Sequence, residues 1–174
     1  MRELCDSLAA GILKICEANN TKIACAESLT GGLLADAFVR IPGASNVLLG
    51  SAVTYDINAK ASILHVDKAL LDREGAVHPE VARQMAVGTA RLYSQPEYGD
   101  RIIGLSTTGV AGPEPDDRGN PIGLVYLGLA WGEQCQVVPL HAGQVDRDRI
   151  RRQAAQTATP EELEQLRKNV HTAL

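Results

Sequence analysis

The sequence predicts an α/β fold: three layers, α/β/α, around a mixed, largely parallel sheet with a late β-hairpin, as a single domain over residues 1–174. Two observations carry this expectation. Short apolar runs alternate with segments of helical periodicity along the first two thirds of the chain, the order that builds parallel strands joined by crossover helices. Later, two apolar runs, Ile122–Trp131 and Cys135–His141, are separated only by Gly132-Glu-Gln134, the spacing of a hairpin.

Each element has a local reason. Residues 2–19 place Leu4, Leu8, Ile12 and Ile15 at helical spacing with Cys5 and Cys16 alongside, and Asn19-Asn20 ends the run. Lys22–Ala26 is a short apolar strand. Glu27-Ser-Leu-Thr-Gly-Gly32 breaks it, and helix formers follow to about Arg40. Ile41–Ser45 reads as a loop and Asn46–Tyr55 as a second strand. Asp56 is placed to cap a helix running to Leu64, and Asp67 to cap a short turn over Lys68–Arg73 that Gly75 stops. Pro79 sits where a helix start tolerates its missing N–H, opening a helix to Tyr93. Arg101–Thr107 is a third strand, and Thr108–Pro121, rich in Gly, Pro and acids, is an exposed loop. After the hairpin come an Arg-rich helix, Asp146–Thr157, and a second helix opening at Thr159-Pro160 and running to the C-terminus.

Composition narrows the function. Apolar residues make up 45% of the chain and charged residues 22%, ordinary for a globular protein. With one Phe and one Trp, the core must be aliphatic. A formal net charge of −4 argues against non-specific binding to nucleic acid or to a membrane surface. Cys5, Cys16, Cys25 and Cys135 form no C-x-x-C pair and have apolar neighbours, so they read as buried reduced thiols rather than a zinc site or a disulfide framework. The N-terminal residues carry charge and no long apolar run, so neither a signal peptide nor a membrane span is expected, and the location expected is the cytoplasm.

If the first three strands are parallel, three loop segments gather at one sheet edge: Glu27–Gly32, Tyr55–Lys60 and Ser106–Pro113. Ser28 stands at the junction of strand and helix, beside N–H groups that a helix start leaves unpaired and that can hold an anion or an oxyanion. It is the candidate nucleophile; the alternative is that Ser28 or Thr30 caps the helix and Gly31 and Gly32 permit the turn. A serine nucleophile needs a base. His65, His78, His141 and His171 all fall outside the three segments, which leaves a Ser-His-Asp triad poorly supported. Lys60 serves better, provided that burial lowers its pKa; otherwise it is a solvated helix lysine. Tyr55 either holds that lysine and assists, or ends a strand with its hydroxyl in water. Thr108-Gly-Val-Ala-Gly-Pro113 has neither P-loop nor G-x-G-x-x-G spacing, but its N–H groups could cradle a phosphate. Arg147 and Arg151 share a helix face, either to clamp that phosphate or to pair with Asp146 and Asp148 in solvent.

Ala26-Glu-Ser-Leu-Thr-Gly-Gly32, Tyr55…Asn58-x-Lys60, Gly75-Ala-Val77, Thr108-Gly-Val-Ala-Gly-Pro113 and Arg147-x-x-Ile-Arg151 occur in this order. The set resembles the CinA C-terminal domain family, the nicotinamide-nucleotide amidases, over roughly residues 5–158. The resemblance implies hydrolysis of the carboxamide of nicotinamide mononucleotide to nicotinate mononucleotide and ammonia, with no metal or cofactor required. It assigns Ser28 as nucleophile and Lys60 as base, with Tyr55 assisting. It places Thr108, Gly109, Ala111 and Gly112 at the nucleotide. Asn58, Thr30, Gly31, Gly32, Arg147 and Arg151 are further candidates for binding, and Glu27 for meeting the cationic ring. It also implies a stand-alone form of the domain and a homo-oligomer, a dimer being plausible. The other reading is a regulatory domain that binds a nucleotide without turnover, linked to competence or DNA damage. Two departures from the family pattern stand out. Glu114-Pro-Asp-Asp-Arg-Gly-Asn120 follows A-G-P, and His78 stands where a small hydroxyl residue is usual.

Overall fold

The computed structural model describes residues 2–157. The expected helix from Thr159 onward lies outside the described residues. The order of elements is α1 (Arg2–Ala18), β1 (Lys22–Glu27), α2 (Leu33–Val39), a 3-10 turn (Ala44–Asn46), β2 (Leu48–Val53), α3 (Ile57–Leu64), α4 (Lys68–Glu74), α5 (Pro79–Leu92), β3 (Ile102–Gly109), β4 (Leu124–Trp131), β5 (Gln134–His141) and α6 (Arg147–Thr157).

The five strands form one sheet in the order β2-β1-β3-β4-β5. β2, β1 and β3 run parallel, and the β3–β4 and β4–β5 pairs are antiparallel. The mixed sheet with a parallel centre and a terminal hairpin is therefore as the sequence predicts. Side chains alternate across a strand, so β1 feeds two cores. Ile23 and Cys25 face a cluster with Ile12, Leu13 and Cys16 of α1, Leu34 and Phe38 of α2, and Ile150 and Ala154 of α6. Ala26 faces the opposite cluster, with Leu64 of α3, Leu70 and Leu71 of α4, and Val81 and Met85 of α5. The buried stripe of α1 is Cys5, Ala9, Ile12, Leu13 and Cys16, while Leu8 and Ile15 are only partly covered. That rotates the buried face from the one the leucine and isoleucine spacing suggests.

Helix α5 lies directly on the sheet. Ser106 Oγ donates to the Ala82 carbonyl at 2.7 Å and Thr89 Oγ1 to the Cys25 carbonyl at 2.8 Å. At Gly104 of β3, an added Cβ would sit 1.9 Å from the Ala86 carbonyl oxygen, so only glycine permits this contact.

Helix starts follow local chemistry. Asp56 accepts from the N–H groups of Asn58 and Ala59, and Asp67 from that of Ala69. His78 caps α5, its Nδ1 accepting from Glu80 N–H, which is how an imidazole fills a place suited to a hydroxyl. β3 extends to Gly109, beyond the expected end at Thr107, because Thr108 and Gly109 pair with Tyr126 and Val125. β4 begins at Leu124 rather than Ile122, after a turn at Gly123, whose N–H donates to Val110 O. The acidic loop is ordered by its own residues: Asp116 accepts from the N–H groups of Arg118 and Asn120, and Arg118 donates to the carbonyls of Asp72 and Arg73 at the end of α4. Cys135 is only partly buried, on the edge strand β5, contrary to the expectation for that thiol.

Candidate active site

Register brings the loops together. Glu27 pairs with Val53 on one side and Thr107 on the other, so β1 and β2 end level and β3 runs two residues further, to Gly109. Two further hydrogen bonds, Ser28 N–H to Thr107 O at 3.1 Å and Thr54 N–H to Glu27 O at 3.0 Å, carry the alignment past the strand ends. Ser28 thereby shares the sheet face of Ala26, toward α3.

From α3, Lys60 reaches the same point. Its Nζ lies 3.0 Å from Ser28 Oγ, within hydrogen-bond distance of Thr54 O and 3.5 Å from Tyr55 O. Lys60 is wholly buried. Desolvation pushes its pKa down from the usual 10.5 to about 8, a fall that the negative charge of Asp56 partly opposes. At neutral pH about one molecule in ten then carries a neutral amine, against roughly one in several thousand for an ordinary lysine. In that form two N–H bonds serve the carbonyls of Thr54 and Tyr55, and the lone pair is left for the proton of Ser28. The geometry therefore suits proton transfer from serine to lysine.

Neither expected hydroxyl cap is made. Ser28 Oγ is engaged with Lys60, and Thr30 Oγ1 forms a buried 2.8 Å hydrogen bond with Thr107 Oγ1. Gly32 is the N-cap, with φ of 103°, and the capping group is the carboxylate of Glu27. This side chain accepts from the N–H groups of Gly32, Leu34 and Ala35 and from Ser51 Oγ, and is fully buried. Glu27 thus faces α2, not a ligand, which corrects its expected place beside a cationic ring. It also takes up the helix N–H groups that were the expected oxyanion donors. Within the Ser28–Gly32 turn, the N–H groups left without a partner among the described residues are those of Leu29 and Thr30, immediately after the nucleophile candidate.

Other candidates sort into an interior set and a rim. Thr108 donates its hydroxyl to Ala76 O at 2.7 Å, and Ala111 packs into the core. Gly109 is glycine because a Cβ would meet Leu124 O at 2.6 Å. These three face protein, so direct ligand contact through their side chains is not what the structure provides. Arg151 also turns inward, its Nε donating to Leu29 O at 2.8 Å and its Nη2 to Thr30 O at 3.4 Å. The shared clamp with Arg147 is therefore not formed. Gly31, at φ of 55°, lies under the Arg151 guanidinium. At the rim, Arg147 donates to Gly112 O at 2.6 Å and to the Tyr55 hydroxyl at 3.0 Å. Tyr55 is 63% exposed. Its hydroxyl makes no hydrogen bond to Ser28 or Lys60 among the described residues; its carbonyl is the group that meets the lysine. Asn58 is exposed on the first turn of α3. Sequence reasoning missed the carbonyl of Thr54 and the N–H of Leu29, since neither contribution depends on a side chain.

The family model for the CinA C-terminal domain matches residues 5–169. The chain belongs to the CinA C-terminal domain family. A CinA-like protein of Syntrophomonas wolfei is 43% identical over 148 residues, which are 84% of this chain and 34% of that protein. A CinA-like protein of Gloeobacter violaceus is 40% identical over 155 residues, 88% of this chain and 35% of its own. The chain thus spans about a third of the length of these curated relatives. Among solved structures, a competence/damage inducible protein, CihA, from Agrobacterium tumefaciens superposes with a TM-score of 0.81 at 32% identity, covering 93% of each chain. The fold and the family are those the sequence motifs resemble. Among the described residues, no helix is long and apolar enough to cross a membrane.

Proposed function

We propose that this CinA-family domain is a serine–lysine amidohydrolase that converts nicotinamide mononucleotide to nicotinate mononucleotide and ammonia. The observation that carries the reading is a buried lysine, its pKa lowered to about 8, at 3.0 Å from a serine hydroxyl. A lysine used only for structure gains nothing from a depressed pKa at this place; a base does.

The steps follow from the geometry. Neutral Lys60 takes the proton of Ser28 as Oγ attacks the carboxamide carbon. The oxyanion forms toward the N–H groups of Leu29 and Thr30. The Lys60 ammonium then gives its proton to the departing nitrogen, releasing ammonia and leaving an ester on Ser28. Water enters and gives a proton to Lys60 as its oxygen attacks the ester carbon; the ester C–O bond then breaks, and Lys60 returns that proton to the departing Ser28 Oγ, leaving nicotinate mononucleotide and free Ser28. Arg147 and Tyr55 at the rim are positioned for the phosphate end of the substrate, which an exposed guanidinium suits.

The solved relative from Agrobacterium tumefaciens is named a competence/damage inducible protein, and this favours a second reading, a nucleotide-binding regulatory domain without turnover. Release of ammonia from nicotinamide mononucleotide, measured for wild type and Ser28→Ala, separates the two. Release by wild type alone supports the amidase; binding of the nucleotide without release by wild type supports regulation.

A further inference from the structure

The N–H groups of Leu29 and Thr30 belong to peptide units whose carbonyl ends are both held. A trans peptide is planar, so its N–H and C=O point in opposite directions, and fixing one end aims the other. The Ser28 carbonyl, in the same unit as Leu29 N–H, accepts from Gly31 N–H at 3.1 Å. The Leu29 carbonyl, in the same unit as Thr30 N–H, accepts from Arg151 Nε at 2.8 Å. Arg151 Nη2 reaches the next carbonyl, that of Thr30, at 3.4 Å, and Nη1 lies 3.7 Å from Asp148 Oδ1. Every nitrogen of this guanidinium has a partner within the chain. From the other side, Glu27 fixes the N–H groups of Gly32, Leu34 and Ala35. The nucleophile turn is thus gripped between a buried carboxylate on β1 and a guanidinium on α6.

We propose that Arg151 is a positioning residue for the reaction, holding the Leu29–Thr30 peptide so that Thr30 N–H points at the developing oxyanion. This rests on the amidase reading of Ser28. A cation on the carbonyl oxygen also draws electron density from the peptide and strengthens its N–H as a donor, as chains of hydrogen bonds polarise one another. The role differs from phosphate binding: Arg151 acts through the backbone of the turn, while Arg147 is the arginine at the rim.

The test labels Ser28 with a fluorophosphonate, whose attack by serine also builds negative charge on oxygen but needs no nucleotide site. Labelling rates are measured by peptide mass spectrometry for wild type, Arg151→Met, Arg151→Lys and Arg152→Met, the last an exposed neighbour on the same helix. Loss of an oxyanion donor typically costs about 10²–10³ in rate. Misaiming one is expected to slow labelling by roughly 10- to 100-fold in Arg151→Met, with less loss in Arg151→Lys, partial restoration by millimolar guanidinium, and no change in Arg152→Met. With nicotinamide mononucleotide as substrate, kcat falls in parallel and KM stays within about twofold. Unchanged labelling, or a raised KM at constant kcat, would overturn the proposal and restore Arg151 to ligand binding. A loss that neither lysine nor guanidinium relieves would also overturn it, making the contact a structural one only. Wild-type labelling at Ser28 without hydrolysis of the mononucleotide would reject that substrate and leave the role of Arg151 standing.

Discussion

Lys60 Nζ and Ser28 Oγ meet at 3.0 Å across 32 residues of sequence, inside a protein that leaves the lysine no exposed surface. The contact depends on α3 being capped at Asp56, three residues after β2 ends at Val53, and on β1 and β2 ending level. Capping and register, both backbone properties, thus set the position of two side chains.

Replacing Ser28 by Ala is expected to remove turnover by about 10⁴-fold or more while leaving stability within about 1 kcal/mol of wild type, since one hydrogen bond is lost and no cavity opens. Ammonia release and urea unfolding check the two halves. Full activity in the variant would remove Ser28 from the mechanism.

Glu27→Gln is expected to destabilise the fold by about 2–4 kcal/mol, because an amide NH₂ must then face donors that the carboxylate now satisfies, and buried donors without acceptors are costly. The loss should appear as a lower urea midpoint with an unchanged m value. A variant as stable as wild type would show that the α2 cap is redundant.

For Arg147→Ala, the expectation is a KM for nicotinamide mononucleotide raised roughly tenfold, with kcat changed less than about threefold, the pattern of lost uniform binding. Steady-state kinetics decide it. A fall in kcat alone would move Arg147 into the chemistry.

Gly104→Ala drives a Cβ to 1.9 Å from the Ala86 carbonyl, and α5 must shift to admit it. A loss of about 3 kcal/mol follows from overpacking, measured by urea unfolding. Little or no loss would mean that α5 can lift from the sheet at small cost.

Much of this was legible in the sequence, and the reasons are local. Asp56 and Asp67 announce helix starts because the capping bond spans two or three residues. The alternation of strand and helix gave the parallel sheet centre, and the parallel order gave the gathering of loops around Ser28 and Lys60. Harder to read were contacts set by which way a residue faces. Glu27 shares the face of Ile23 and Cys25, toward α2; an acid at the last position of a strand, on the side of the next helix start, was the available signal for a cap. Arg151 lies four residues from Arg147 on α6, and spacing alone could not separate them. One meets the carbonyls of the nucleophile turn and the other the rim, a difference fixed by the packing of α6 on α2.

The pH dependence of kcat/KM for nicotinamide mononucleotide, followed from pH 6 to about 10, tests the central claim most directly: that neutral Lys60 is the base for Ser28. Burial lowers the lysine pKa to about 8, and the base is active when unprotonated, so the rate is expected to rise tenfold per pH unit below 8 and level off above it. In Lys60→Met the limb should vanish along with nearly all activity. A wild-type profile that is flat or falling through pH 8, or a rising limb that survives in Lys60→Met, would contradict the account.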